Sequence, residues 1–104
     1  MNYSSSTQQL NVQLLVGLKR HLLIAQATNE PKEKRLESLS NLAEVLEYVC
    51  LNINEAVPAE EQAIYRKFFM ALLTRVTLAK VQIHQRPAMF TDEIGFISTI
   101  LQLG

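Results

Sequence analysis

The chain has 104 residues, of which 48% are hydrophobic, a length and composition typical of one small globular domain. Its ten basic and ten acidic side chains cancel, so it lacks the net positive charge typical of proteins that bind nucleic acid or an anionic membrane. No apolar run in the sequence approaches the roughly 18 residues of a membrane span, and the polar stretch from Met1 to Gln9 does not resemble a signal peptide. We therefore predict a cytoplasmic protein with no nucleic-acid or membrane partner.

The first predicted helix runs from about Thr7 to Ala27, after residues 1–6, which we predict to be flexible. Apolar residues recur in it at the three- and four-residue spacing of an amphipathic helix. The positions predicted to face the core are Leu10, Leu14, Leu18, Leu22 and Ala25, with Leu15 beside them. A second apolar stripe, roughly opposite the first, is formed by Val12, Val16, Leu23 and Ala27.

The second predicted helix begins near Pro31, because a polar run ends the first helix and proline suits the first position of the next. It has one apolar face, formed by Leu39, Leu42, Ala43, Leu46, Val49, Cys50 and Ile53. Cys50 is the single cysteine, so no internal disulfide is possible. We interpret it as a small buried hydrophobe rather than a reactive thiol. A short polar link over residues 52–57 follows.

The third predicted helix, from Pro58 to His84, has apolar stripes on two faces. The stripe predicted to face the core consists of Tyr65, Phe68, Phe69, Leu72, Val76, Ala79 and Ile83. Met70, Leu73 and Val81 fall roughly opposite, at about 100° per residue. A helix that is apolar on two sides is either buried on both or keeps one side for a partner.

The fourth predicted helix is short and runs to Gly104. Pro87 ends the third helix, because the residue before a proline is disfavoured in the helical region. Thr91 is the predicted N-cap, with Asp92 and Glu93 in the first turn. The apolar stripe is Ile94, Ile97 and Leu101. Since the links are short, the sequence predicts a single all-α domain, an antiparallel up-down bundle of about four helices.

The sequence has no pattern of catalytic or metal-binding residues. His21 and His84 lie on separate predicted helices without other ligands at metal-binding spacing, so we predict solvated or helix-capping roles for them. Gly17, Gly95 and Gly104 are too far apart to form a phosphate-binding loop. We expect no enzyme activity, no metal and no cofactor.

Several positions resemble the FliS family of flagellar export chaperones. In the first helix, the resemblance rests on the spacing of Leu10, Leu14, Gly17, Arg20, Leu22 and Ala25. It continues through Val45, Leu46, Val49, Ile53 and Asn54, then Phe68, Phe69, Leu72, Arg75 and Ala79, and last Asp92, Glu93, Ile94 and Gly95. The link before the fourth helix is longer than in the family, and the Leu-Arg and Trp that usually close its last helix are missing. The sequence therefore resembles a divergent member.

This resemblance implies a cytoplasmic chaperone that holds the disordered C-terminal segment of flagellin in a helical form and prevents premature polymerisation. The second apolar stripes give an independent reason, because a segment that folds on binding recovers its ordering entropy by burying apolar area. The predicted client-binding residues, taken from the helical wheel, are Val12, Val16, Leu23, Met70, Leu73 and Val81.

Three alternatives stay open. The second stripes can be ordinary core, since a helix in a small bundle touches neighbours on two sides. They can instead be buried in a homodimer, which would make the protein a structural or adaptor protein without a client. The third alternative is a small immunity-type helical protein that binds a toxin or its receptor.

Overall fold

A computed structural model describes the backbone of residues 3–52 and 59–103, and the side chains of residues 12–52 and 59–102. The described chain forms helices α1 (Tyr3–Gln26), α2 (Lys32–Leu51), α3 (Gln62–Gln82) and α4 (Thr91–Leu103), with a short 3₁₀ turn at Ala59–Glu61 before α3. Within these ranges there is no β-strand. The predicted all-α class is confirmed.

The second helix, α2, lies between two neighbours. It packs against α1 on one side and α3 on the other, and α4 packs against α1. The bundle is elongated, measuring 48 × 22 × 19 Å, because the helices lie side by side along one direction. This packing confirms the predicted antiparallel bundle of four helices.

One apolar face of each helix forms the core. The most deeply buried side chains are Leu18, Leu22 and Ala25 of α1, Leu39, Leu42, Leu46 and Val49 of α2, Phe69, Leu72 and Val76 of α3, and Phe90 and Ile97. Burying an aliphatic or aromatic side chain of this size contributes roughly 1.5–3 kcal/mol. All except Phe90 are positions that the helical periodicity predicts to face inward. The side chain of Leu10, and Ile53 as a whole, lie outside the described residues.

The first two helices begin at different residues from those predicted. The helical backbone of α1 starts at Tyr3 rather than near Thr7, so residues 3–6 are helical, and residues 1–2 lie outside the description. Extending a formed helix by one residue is far easier than nucleating it. Pro31 precedes α2 as its N-cap, because its ψ of 149° is extended while its carbonyl accepts the first helical hydrogen bond, from the Arg35 N–H at 3.1 Å.

The third helix ends at Gln82, two residues before the predicted end at His84. Two N–H groups that follow, of Gln85 and Arg86, both donate to the Gln82 carbonyl, at 2.8 and 3.0 Å, and close the helix. Pro58 and residues 53–57, where we predict the start of this helix and the preceding link, lie outside the described residues.

Phe90, and not Thr91, is the N-cap of the last helix. The Phe90 carbonyl accepts the first helical hydrogen bond, from the Ile94 N–H at 2.9 Å, so Thr91 is already inside α4. The predicted N-cap is therefore wrong by one residue, because burial of the Phe90 ring decides where the chain enters the helix. The predicted last residue of the helix, Gly104, is not described.

Candidate functional site

The outer face of α1 exposes a line of apolar side chains. Val12, Val16 and Leu23 are each 41 to 45% exposed and lie on the side of the helix opposite the core residues. They are three of the four residues predicted to lie away from the core, and their placement is confirmed; the fourth, Ala27, lies just beyond the end of α1 and is half-buried. Arg20 is exposed beside them. The face can contact an apolar partner surface without disturbing the core.

A second and longer apolar face lies exposed on α3. Met70 and Val81, both predicted to lie away from the core, are joined there by Ile64 and Leu78, and the four are 53 to 71% exposed. The helical-wheel prediction does not include Ile64 and Leu78. Their signal in the sequence is the spacing of Ile64, Ala71 and Leu78 at every seventh residue, which keeps them on one side of a helix.

Leu73 does not belong to this exposed face. Its side chain is partly buried and packs against the core. Leu73 follows buried Phe69 by four residues and precedes buried Val76 by three, so it lies at the edge of the buried side of α3. The prediction that Leu73 lies opposite the core is wrong.

The two exposed faces belong to helices that are separated by α2. Because α1 and α3 each pack against α2 on different sides, their outward faces point to different sides of the bundle. A single straight groove lined by both faces is therefore not formed. One binding partner can cover both only by wrapping around the molecule.

Charge is distributed unevenly along the chain although its sum is zero. The helix α3 contains four basic residues and no acidic residue: Arg66, Lys67, Arg75 and Lys80. The part of α2 from Leu36 to Leu51 is the reverse, with three acidic residues and no basic one: Glu37, Glu44 and Glu47. The exposed apolar face of α3 thus carries the positive charge of Lys67, and the outer face of α2 is negative.

A pocket of about 340 Å³ lies between α3 and the connection to α4. Leu78 of α3 and Met89 of the connection are exposed at this pocket, whereas Ala88 and Phe90 are buried. The pocket therefore has a buried apolar wall and an exposed apolar rim. Arg86, which is exposed, also lines it. Leu78 belongs to the exposed apolar face of α3 and also lines the pocket, so the pocket continues that face.

The connection that forms this pocket is held by hydrogen bonds from two helices. Arg75 of α3 donates to the Met89 carbonyl at 2.8 Å and pairs with the Glu93 carboxylate. Its guanidinium carbon lies 5.5 Å from the centre of the Phe90 ring. From the other side, the Phe90 N–H donates to Gln26 Oε1 of α1 at 2.8 Å. These contacts fix the wall of the pocket against both α1 and α3.

The two histidines lie in different surroundings and do not form a metal site with each other. His21 is half-buried and its Nδ1 is enclosed without a hydrogen-bond partner, so the prediction that it is solvated or caps a helix is wrong. His84 is exposed beyond the end of α3, where its Nδ1 accepts a hydrogen bond from Lys32 Nζ at 2.8 Å. It therefore links the end of α3 to the start of α2 rather than capping its own helix. The described residues contain no group of three or more side chains able to hold a metal ion.

Cys50 is half-buried and packs against the core, as the sequence predicts. Burial raises the pKa of its thiol, and the nearby Arg66 charge offsets this rise only in part. The thiol is therefore protonated and a weak nucleophile at neutral pH.

In the described part of the chain, no helix is long and apolar enough to cross a membrane.

Comparison of the chain with protein-family models, with curated proteins and with solved structures gives no match. The fold places the protein in the class of small all-α helical bundles.

Among the residues that carry the resemblance to FliS, Ala25 is buried in the core and Ala79 is partly buried against it. Gly17 has no atom within 4 Å of the place where a Cβ would be, so close packing does not require a glycine there.

Proposed function

We propose that this protein binds an amphipathic segment of another protein on the exposed faces of α1 and α3. The observation that carries this proposal is that α1 and α3 each expose an apolar face on the side opposite to the one that packs into the core. Exposed apolar side chains in lines along a helix are typical of surfaces that receive a partner helix. Met70 supports this role because its flexible thioether adapts to different partners.

The specific form that we propose is a cytoplasmic export chaperone of the FliS type. Its client would be the disordered C-terminal segment of flagellin, or of a related secreted filament protein, held in a helical form until export. Since the two exposed faces lie on different sides of α2, the client would wrap around the bundle instead of lying in one groove. Wrapping buries a large apolar area, which offsets the entropy lost when a disordered segment becomes ordered.

A homodimer formed through α3 is the second candidate for burying this face. The seventh-residue spacing of Ile64, Ala71 and Leu78 favours pairing with another helix. Lys67 opposes it, because pairing two copies along this face brings this exposed charge of both copies into one interface. We therefore propose the client-binding function in preference to the homodimer.

Titration calorimetry with a flagellin C-terminal peptide tests the proposal. We expect a one-to-one complex with a dissociation constant in the micromolar range or below. Val16→Glu on α1 and Leu78→Glu on α3 should both weaken binding, whereas Leu51→Glu on α2, at a side chain 85% exposed, is the matched control and should not. Absence of binding at tens of micromolar would reject the flagellin client.

Light scattering of the protein alone separates the two candidates. A client-binding monomer should have a mass near 11.8 kDa. A mass twice as large, returning to the monomer value in Leu78→Glu, would favour the homodimer through α3.

A further inference from the structure

We infer that the exposed face of α3 selects a partner helix with acidic flanks, and that the pocket at the end of this face receives one apolar side chain of that helix. The inference rests on the proposed function, because it specifies the chemistry of the partner at one of the two binding faces. It depends on three features of α3: the line of apolar side chains, the basic residues beside it, and the pocket into which it leads.

The apolar line has the length and shape needed for a helix. Ile64 and Leu78 are 14 residues apart, which corresponds to about 21 Å along the helix axis. Ala71 lies between them at equal spacing and is exposed. A small side chain in the middle with large ones at both ends allows the axis of a partner helix to approach closely. A segment of about 20 residues would cover the face from end to end.

Basic residues lie along both edges of this line. At about 100° per residue, Lys67 lies on one edge of this line and Arg75 on the other, whereas Arg66 and Lys80 lie on the far side of the helix. Lys67 is exposed. The helix α3 itself contains no acidic residue, and Arg75 is paired with Glu93 of α4. A partner helix with Asp or Glu beside its apolar stripe would meet the positive charge of Lys67 along the face and of Arg86 at the pocket, as the flanking positions of coiled coils meet opposite charge.

The pocket extends the face at the C-terminal end of α3. Leu78 and Met89 are exposed at the pocket, and the buried residues Ala88 and Phe90 also line it, so an apolar side chain placed there would contact both α3 and the connection to α4. A volume of about 340 Å³ is sufficient for a leucine or phenylalanine side chain. Arg86 forms no ion pair with any described residue, whereas Arg75 is already paired with Glu93. A carboxylate next to the inserted side chain would therefore pair with Arg86.

Two labelled synthetic peptides of about 20 residues test the charge preference. Both carry leucines at the spacing of a coiled-coil stripe, and one has glutamate where the other has lysine on the flanks. In fluorescence anisotropy with the whole protein at about 0.05 M salt, we expect the glutamate peptide to bind at least about tenfold more tightly. The difference should narrow at about 0.5 M salt, because screening weakens the flanking ion pairs. Equal affinities at low salt would overturn the inference.

Three variants of the protein locate the binding site of the glutamate peptide. Leu78→Glu and Arg86→Glu should each weaken binding about tenfold or more, and Leu51→Glu on α2 should leave it unchanged. Circular dichroism establishes that each variant keeps its helices. If Leu51→Glu weakens binding as much as Leu78→Glu does, the peptide does not occupy α3 and the inference is wrong.

Binding of both peptides to variants of the α1 and α3 faces separates failure of this inference from failure of the proposed function. Should the flagellin peptide fail to bind while the glutamate peptide shows the predicted variant pattern, the flagellin client is rejected and the acidic preference of α3 stands. Should the flagellin peptide bind and respond to Val16→Glu but not to Leu78→Glu, the client stands and the α3 site is rejected.

Discussion

Arg75 of α3 forms an ion pair with Glu93 of α4, between two helices whose backbones do not pack closely. The Glu93 side chain is 10% exposed and the Arg75 side chain 50%. The second carboxylate oxygen of Glu93 is enclosed without a hydrogen-bond partner. The buried carboxylate therefore depends on one guanidinium for its compensation, and this pair joins α4 to α3 together with the stacked rings of Phe68 and Phe96, whose centres are 4.4 Å apart.

Replacing Arg75 should destabilise the fold, because the buried Glu93 carboxylate is then left without its positive partner. We expect Arg75→Met to lower the free energy of unfolding by roughly 1–3 kcal/mol, because Glu93 then remains buried and unpaired. The double variant Arg75→Met with Glu93→Leu should recover much of this loss, and Arg86→Met is the control on an exposed arginine. Urea denaturation of the four proteins measures these effects. Equal stability of the single and double variants would mean that the unpaired charge is not the cause.

Two leucines of α2 provide a matched comparison of buried and exposed positions. Leu46 is fully buried, whereas Leu51 is 85% exposed. Leu46→Ala should cost roughly 2–5 kcal/mol, because it leaves a cavity in the core, and Leu51→Ala should change stability by less than about 0.5 kcal/mol. Thermal and urea unfolding check both values. Similar losses at the two positions would contradict the packing of α2 described above.

Charge placed at Leu73 should act on stability, unlike charge placed at Met70. Leu73 packs against the core, so Leu73→Glu buries a carboxylate without a partner and should cost more than about 2 kcal/mol. Met70 is more than half exposed, and Met70→Glu should stay within about 0.5 kcal/mol of the unmodified protein. Chemical denaturation distinguishes them. For this reason Met70→Glu can report on partner binding, and Leu73→Glu cannot do so cleanly.

The helical periodicity of the sequence predicts the number of helices and most of the core, because local spacing decides which side of a helix is apolar. It places Leu22, Leu42 and Leu72 correctly in the interior. It does not predict contacts between residues far apart in the chain. The burial of Glu93 depends on Arg75, and the pocket depends on where the connection after α3 returns, so neither leaves a signal in the spacing of one helix.

Cys50 should react slowly with alkylating reagents while the protein is folded. Burial raises the pKa of its thiol, which lowers the fraction of reactive thiolate at neutral pH. Iodoacetamide at pH about 7.5 should therefore modify the folded protein at least about tenfold more slowly than the protein in urea. Mass spectrometry over time measures both rates. Equal rates would show that the thiol is freely accessible in the fold.

Stability should decrease at alkaline pH partly because of Tyr65. Burial, and secondarily the Glu61 charge, raise the pKa of its hydroxyl above 10.0. Above pH 10 the unfolded chain loses this proton before the folded chain does, so the folded state binds more protons and stability falls as the pH rises. Below pH 10 the contribution is fully present. Urea midpoints from pH 8 to pH 11 should therefore decline less steeply in Tyr65→Phe than in the unmodified protein.

The hydrogen bond from the Phe90 N–H to Gln26 has a consequence for how the chain reaches its native state. The two residues are 64 positions apart, so forming this contact requires closing a long loop. The pairs α1 with α2 and α2 with α3 involve shorter loops and can associate earlier. Attachment of α4 to α1 is therefore expected to be a late step in folding. Until that step the apolar side of α1 is incompletely covered, and the chain is then most susceptible to aggregation.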